Sequence, residues 1–177
     1  MALYYAPAFF FFLLALSLQK KTWSQSILSV ANLGATVILS TMACLLPFSL
    51  SLDSIRHVVT RVFPFSRGLF EDKVANFWCV SGFLFKWHLK FPSALLLKFS
   101  LVLTVASLIP NGFLVLTHHG LSLETFLLSL TTSSLGFFLF SYQVHEKTII
   151  FVILPLVFLC KRHPMFVSIM SYIASFR

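Results

Sequence analysis

Two short groups of ionisable residues stand out in a sequence that has only 5 acidic residues among 177. The two groups together contain seven residues: Arg67, Glu71, Asp72, Lys73, His145, Glu146 and Lys147. Two cations beside two anions can form a binding pocket for a polar ligand, and a histidine can transfer a proton or contact a phosphate. Both groups are therefore candidate functional sites.

Each group also has a structural interpretation. Gly68 permits a turn and an apolar segment follows, so Glu71 and Asp72 are expected at a helix N-terminus, where the dipole favours anions. The segment "QVHEK", residues 143–147, can be a tight polar loop between two spans. On a helix its three charged or titratable side chains would diverge by about 100° each and would require a wet cavity or an interface.

The composition indicates a membrane protein. Hydrophobic residues make up 58% of the chain and charged residues 10%, against roughly a quarter charged in a soluble domain. Several uncharged runs approach the roughly 20 residues that cross the hydrocarbon core as a helix, and they lack the alternation of a membrane barrel. The sequence predicts an all-α polytopic fold without a nucleic-acid role, because the cations behind the net charge of +8 are scattered between apolar runs.

The apolar runs predict about 5–6 membrane helices in a single membrane domain over residues 1–177. The runs cover residues 2–18, 26–52, 93–117, 121–142 and 148–160, and the chain ends inside another. Pro47 is expected to kink or end the second helix. Residues 74–85 would form a helix of only about 18 Å, so they either cross the membrane or re-enter on the same side.

Charge places the first loop on the cytosolic side, because Lys20 and Lys21 lie in it. Residues 53–73 then form a lumenal or external polar loop. If residues 74–85 cross the membrane, His145 lies in the cytosol. If they are re-entrant, His145 shares the face of Glu71 and Asp72. Both topologies stay open at this point.

The sequence predicts neither a metal nor a cofactor. Three cysteines lack C-x-x-C spacing and stand among apolar neighbours, so we expect buried thiols: Cys44, Cys79 and Cys160. His118 and His119 have no third ligand at metal spacing. The three tryptophans lie near segment ends, which favours interfacial anchors over a stacking platform: Trp23, Trp78 and Trp87.

Two long sequence segments resemble those of a known protein family. "RVFPFSRGLFEDKVANFWC" and "FLFSYQVHEKTII" resemble the signature segments of the dolichyl-phosphate-glucose-dependent α-1,3-glucosyltransferases of asparagine-linked glycosylation. The opening "MALYYAPAFFFFLL" also resembles this family, so the resemblance covers essentially the whole chain. "EDKVANFWC" with "SYQVHEK" is similar to the branch that adds the first glucose.

This resemblance implies a multi-pass GT-C fold in the endoplasmic reticulum membrane, within the lipid bilayer. It implies inverting transfer of glucose, without a cofactor, from dolichyl phosphate glucose to the dolichyl-pyrophosphate-linked oligosaccharide Man9GlcNAc2. The cations Arg67, Lys73, His145 and Lys147 would lie near the phosphate. Glu71 and Asp72 would orient them or hold sugar hydroxyl groups, and Glu146 belongs to the same substrate-binding set.

The family's catalytic aspartate lies in an early lumenal loop that would precede Met1. The chain is therefore expected to be a fragment that lacks the general base and is inactive alone, with Asp72 as an alternative base. A second hypothesis is a short non-catalytic membrane protein that binds a lipid phosphate or a partner subunit. A transporter with a proton relay through His145 and Glu146 would require inverted repeats, and the sequence shows no repeat of either motif.

Overall fold

The computed structural model describes residues 2–20, 22–48, 51–62, 74–117, 121–141 and 144–175, without the side chains of residues 2, 52, 59, 62 and 88. Every regular element in these ranges is helical, which confirms the all-α prediction. The α-helices are α1 (Ala6–Leu18), α2 (Trp23–Leu45), α3 (Leu52–Val62), α4 (Phe77–Phe85), α5 (Trp87–Lys90), α6 (Ser93–Thr117), α7 (Leu123–Phe140), α8 (Ile150–Val157) and α9 (Pro164–Ser175). Short 3-10 helices cover Ala2–Tyr4, Leu46–Phe48 and Glu146–Ile149.

Three helices in the described ranges are long and apolar enough to cross a membrane: Trp23–Phe48, Ser93–Thr117 and Leu123–Phe140. α1 and α9 are also apolar, but they have 13 and 12 residues. At 1.5 Å per residue these two helices are shorter than the hydrocarbon core. The run over residues 2–18 therefore gives a shorter helix than the predicted span.

The chain divides into two compact units, Met1–Ala15 with Gly68–Arg177 and Leu16–Arg67. The prediction of one membrane domain stays a prediction. In the second unit α2 gives way to a 3-10 turn at Leu46, so the helix ends next to Pro47 as predicted. The expected polar loop over residues 53–73 begins as the helix α3, on which Ile55 and Val58 are half-buried. The lumenal position of this region remains a prediction.

The first unit is built around α7, which packs against α6 and α8. Small polar residues face the α6–α7 contact: Asn111 Nδ2 donates a hydrogen bond to Ser129 Oγ at 3.1 Å. A Cβ at Gly136 would lie 2.5 Å from Ser107 Oγ, so a larger residue at this position would require the Ser107 side chain to move. Leucine, valine and phenylalanine lie on the exposed face of α6, as expected for a helix in lipid.

The two helices of this contact are antiparallel. Ser107 of α6 faces Gly136 of α7, whereas Asn111, one turn further along α6, faces the earlier residue Ser129. The N-terminal end of α6 therefore lies at the same end of the bundle as the C-terminal end of α7.

The N-terminal segment is tied to this same bundle. Ser133 Oγ donates a hydrogen bond to the Tyr4 carbonyl at 2.8 Å, and the Tyr5 hydroxyl donates to the Phe151 carbonyl at 2.7 Å. The buried-thiol expectation, by contrast, is wrong, because all three cysteines are exposed. Their apolar sequence neighbours do not bury them, since apolar residues in this chain also cover the exposed helix faces.

Candidate functional site

Trp78 connects the start of α4 to the end of α7. The last carbonyl groups of an α-helix have no partner within the helix. Trp78 Nε1 donates a hydrogen bond to one of them, the Phe140 carbonyl, at 2.9 Å. The interpretation of Trp78 as an interfacial anchor is wrong, because its side chain is only 2% exposed. This buried indole fixes the motif residues that follow Lys73 against the C-terminal end of α7.

Asn76 sets the beginning of α4. Its Oδ1 accepts a hydrogen bond from the Cys79 N–H at 2.9 Å, so Asn76 is the N-cap and the helix begins at Phe77. Glu71 and Asp72, which were expected at the start of this helix, lie outside the described residues. The described part of the chain before α4 begins at Val74, whose carbonyl accepts a hydrogen bond from the Asn76 N–H at 2.8 Å.

A buried apolar cluster joins the flanks of the two sequence motifs. Its members are Val74, Phe138, Val144 and Val152, each at most 7% exposed. Val74 directly follows Lys73, and Val144 directly precedes His145. The described parts of the two motif segments, Val74 and Val144, are separated by about 70 positions in the sequence but meet near the C-terminal end of α7. Arg67, Glu71, Asp72 and Lys73 themselves lie outside the described residues.

The segment His145 to Lys147 is a tight polar connection into α8. The His145 carbonyl accepts two hydrogen bonds from Thr148, from its N–H at 2.9 Å and its Oγ1 at 2.6 Å. Thr148 is buried, whereas the side chains of His145, Glu146 and Lys147 are exposed. The backbone at His145 is therefore fixed by a buried threonine, while residues 145–147 themselves are exposed.

The segment from α4 to α6 begins and ends at this same end of the bundle. α4 has 9 residues and starts beside Phe140, and α6 also starts at this end. Between them the chain reverses at Lys86, and Trp87 Nε1 donates a hydrogen bond to Ser81 Oγ at 3.0 Å. The Trp87 ring returns to 6.1 Å from the Trp78 ring. This geometry favours the re-entrant topology over a full crossing.

A different polar cluster lies at the opposite end of α7, about 27 Å away for a helix of 18 residues. Glu124 binds Arg162 through Oε2 and His163 Nε2 through Oε1, the latter at 2.9 Å. Here a carboxylate on the first turn of α7 pairs with the turn between α8 and α9. The sequence alone did not predict this pairing, which depends on α7 and α8 packing side by side.

Three positioning residues were also missed: Asn76, Trp78 and Thr148. Each lies inside or beside one of the two motif segments, and this position was the only feature of the sequence that pointed to it. Their roles depend on partners that are distant in sequence or on a local turn, so residue type alone did not reveal them. The described residues contain no group of three or more His, Cys, Asp or Glu side chains that could hold a metal ion.

Comparison with known proteins gives the same residues a family context. A model of the ALG6, ALG8 glycosyltransferase family matches residues 1–176. A Dictyostelium discoideum protein, "Probable dolichyl pyrophosphate Man9GlcNAc2 alpha-1,3-glucosyltransferase", is 41% identical over 93% of this chain and 32% of its own length. A Saccharomyces cerevisiae protein, "Dolichyl pyrophosphate Man9GlcNAc2 alpha-1,3-glucosyltransferase", is 40% identical over 90% of this chain and 29% of its own length.

A plant protein shows a similar identity. An Arabidopsis thaliana protein with the same name as the Dictyostelium relative is 40% identical over 99% of this chain. The chain spans about a third of the length of these curated relatives. Because the family model covers nearly every residue, the chain belongs to the ALG6, ALG8 family of membrane glycosyltransferases.

Proposed function

We propose that this chain is part of an enzyme of the endoplasmic reticulum membrane that transfers the first glucose from dolichyl phosphate glucose to Man9GlcNAc2-PP-dolichol. The relatives carry the acceptor in their names, and the chain is similar to them over nearly its whole length. The described bundle would supply the part of the site that holds a lipid phosphate. The general base would come from a part of the protein outside this sequence.

One observation carries this proposal: the apolar cluster that joins Val74 to Val144. Since Lys73 is bonded to Val74 and His145 to Val144, the proposal brings the two polar motifs to a single lipid headgroup. A re-entrant course of α4 would keep both motifs on one face of the membrane, and the return of the Trp87 ring to the Trp78 ring favours that course. Under this proposal that face is the lumenal one.

The proposed reaction is a direct displacement with inversion at the glucose carbon. A carboxylate removes the proton from the acceptor hydroxyl group, the new glycosidic bond forms, and the lipid phosphate leaves with the electrons of the broken bond. Negative charge on the leaving phosphate increases along this path. His145 and Lys147, together with Arg67 and Lys73, would stabilise that charge, which is the role that speeds such reactions most. Glu71, Asp72 and Glu146 would orient these cations or bind the sugar hydroxyl groups.

The test compares two histidines at the two ends of α7 in the complete protein. His145→Ala should lower glucose transfer by about 100-fold or more, because it removes a group that contacts the developing charge. His163→Ala should leave transfer within about threefold, because His163 pairs with Glu124 at the other end of the helix. Transfer is measured in microsomes with defined donor and acceptor lipids, and protein abundance is measured alongside.

Four outcomes separate the alternatives. Loss of transfer with normal abundance in His145→Ala alone supports the proposal. Wild-type transfer in His145→Ala contradicts the site. Loss of abundance in His145→Ala, with transfer per molecule unchanged, would assign this residue a structural role. If donor binding survives in a complete protein that never transfers glucose, the non-catalytic lipid-phosphate binder becomes the better description.

A further inference from the structure

A proline inside α8 leaves one backbone carbonyl without its usual donor. Pro155 lies within the helix Ile150–Val157, and its side chain is buried. In an α-helix each carbonyl accepts a hydrogen bond from the N–H four residues later, and proline has no N–H. The Phe151 carbonyl therefore lacks its helical donor. Backbone groups in such a place are normally satisfied by another partner.

Tyr5 supplies the missing donor. Its hydroxyl donates a hydrogen bond to the Phe151 carbonyl at 2.7 Å, although the two residues are 146 positions apart in the sequence. The rings of Tyr5 and Phe151 also pack edge to face, with 5.9 Å between their centroids. Tyr5 is half-buried. A side chain from the N-terminal segment thus replaces a bond that α8 cannot make for itself.

The neighbouring residue Tyr4 fixes this segment on α7. The Tyr4 carbonyl accepts a hydrogen bond from the buried Ser133 Oγ at 2.8 Å. The Tyr4 ring lies 5.3 Å from the Phe137 ring and 5.7 Å from the Phe151 ring between centroids. Tyr4 is itself buried. The bond from Tyr5 therefore ties the first turn of α8 to the C-terminal half of α7.

The first turn of α8 continues directly from the segment that contains His145. The 3-10 helix Glu146–Ile149 passes into α8 at the next residue. Within it Thr148 donates two hydrogen bonds to the His145 carbonyl. Helices bend most readily at a proline, so the part of α8 before the proline can tilt relative to the part after it. The bond from Tyr5 restrains the part that is continuous with His145.

We propose that Tyr5 is a positioning residue of the candidate site: its hydroxyl completes the proline-broken start of α8 and so holds His145 in place beside the lipid phosphate. The inference rests on the proposed function, in which His145 stabilises the leaving phosphate. Stabilisation of a developing charge depends on groups that are already in place, and a small displacement lowers the rate. Tyr5 acts through α8 and contacts neither substrate.

The first test is Tyr5→Phe in the complete protein, purified and reconstituted in phosphatidylcholine vesicles. The variant keeps the ring and removes only the hydroxyl group. The kcat should fall about five- to tenfold, while the KM values for dolichyl phosphate glucose and for Man9GlcNAc2-PP-dolichol stay within about twofold. Tyr172→Phe is the matched control, because Tyr172 in α9 is 66% exposed, and its kcat should match wild type.

Two results of this first test would overturn the proposal. One is a wild-type kcat in Tyr5→Phe. The other is a lower abundance of this variant with an unchanged kcat per folded molecule, which would limit Tyr5 to a role in folding.

The second test restores the donor within the helix. Pro155→Ala provides an N–H opposite the Phe151 carbonyl, and alanine is the residue that helices accept best. In this background Tyr5→Phe should lower the kcat by less than about twofold, because the carbonyl no longer depends on the hydroxyl group. An equal loss in both backgrounds would refute the proposal. Pro155→Val serves the same comparison with a larger side chain if alanine at this buried position lowers the abundance.

A third comparison asks whether Tyr5 acts through His145. Added to His145→Ala, Tyr5→Phe should lower transfer by less than about twofold, since the group that it positions is already absent. A further five- to tenfold loss would contradict the proposal, because Tyr5 would then act by another route.

The failure of the proposed function has a different signature. Wild-type transfer in His145→Ala would contradict that function, whereas the hydrogen bond of Tyr5 can still be tested by unfolding. Tyr5→Phe should lower the unfolding midpoint by about 1–2 °C when Pro155 is present and leave it unchanged in the Pro155→Ala background. Equal shifts in the two backgrounds would mean that the hydroxyl group does not replace the missing donor.

Discussion

The polar clusters at the two ends of α7 are held in place in different ways. At the N-terminal end, Glu124 is paired with Arg162 and His163, so side-chain charges meet one another. At the C-terminal end, buried valines and backbone hydrogen bonds hold the chain, and the polar side chains from His145 to Lys147 are exposed. The first arrangement joins two elements through their charges. The second holds its backbone through buried apolar contacts and through the hydrogen bonds that Thr148 donates to the His145 carbonyl.

This difference helps to separate charged residues that stabilise a membrane bundle from charged residues that bind a ligand. Intramembrane or interfacial ionisable residues are functional candidates by default. Glu124 and His145 both satisfy that rule, and sequence alone does not rank them. The structure shows that Glu124 pairs with two side chains and that the His145 carbonyl is bonded to Thr148, and variants at the two ends rank the residues by their effect on transfer.

The sharpest structural test of the motif end is Trp78→Phe. The variant retains an aromatic ring and removes the N–H that binds the Phe140 carbonyl, leaving that acceptor without its partner. The free energy of unfolding should fall by about 1–3 kcal/mol, and glucose transfer by the complete protein should fall with it. Thermal unfolding of the purified protein in detergent measures the first effect.

Trp23→Phe is the matched control for this prediction. Trp23 is 81% exposed, so the same chemical change should leave the unfolding midpoint nearly unaltered. Equal midpoints for Trp78→Phe and wild type would mean that the indole does not fix the start of α4. The contact between the two motifs would then need another cause.

Much of the fold could be predicted from the sequence because long apolar runs have few alternatives in a membrane. The predicted run over residues 93–117 coincides with α6. The turn at Lys86 could not be predicted, since its left-handed backbone lacks the glycine that normally signals it. For the candidate site, the sequence motif pointed to His145 to Lys147. It did not reveal the hydrogen bond of Trp78, which depends on tertiary packing, or the cap formed by Asn76, which depends on where the helix begins.

A smaller effect is expected from Thr148→Val, which tests how the motif backbone is held. Valine keeps the branched shape and removes the hydroxyl group that donates to the His145 carbonyl at 2.6 Å, while the backbone bond to the same carbonyl remains. The free energy of unfolding should fall by about 0.5–1.5 kcal/mol. Transfer should fall several-fold, because His145 is held less firmly.

Thr131→Val provides the matched control for Thr148→Val. Thr131 is also buried, and its hydroxyl donates to the Leu127 carbonyl within α7, away from the motif. This variant should change stability by a similar amount and leave transfer per folded molecule unchanged. If both threonine variants lower transfer equally, the effect belongs to the bundle in general, and the special role of Thr148 is refuted.

The smallest effect is expected at the other end of α7, from Glu124→Gln. The change removes the negative charge that Arg162 and His163 share, and Arg162 is 72% exposed, so solvent already screens much of the attraction. The unfolding midpoint should fall by about 2 °C or less, the difference should shrink at high salt, and transfer should be unchanged. A large loss of transfer would contradict the contrast between the two ends, since it would mean that a cluster whose charges are satisfied within the protein also takes part in the reaction. Preserved transfer together with a salt-sensitive midpoint would assign Glu124 to folding, and would leave the end that contains His145 as the one where charge is directed at a ligand.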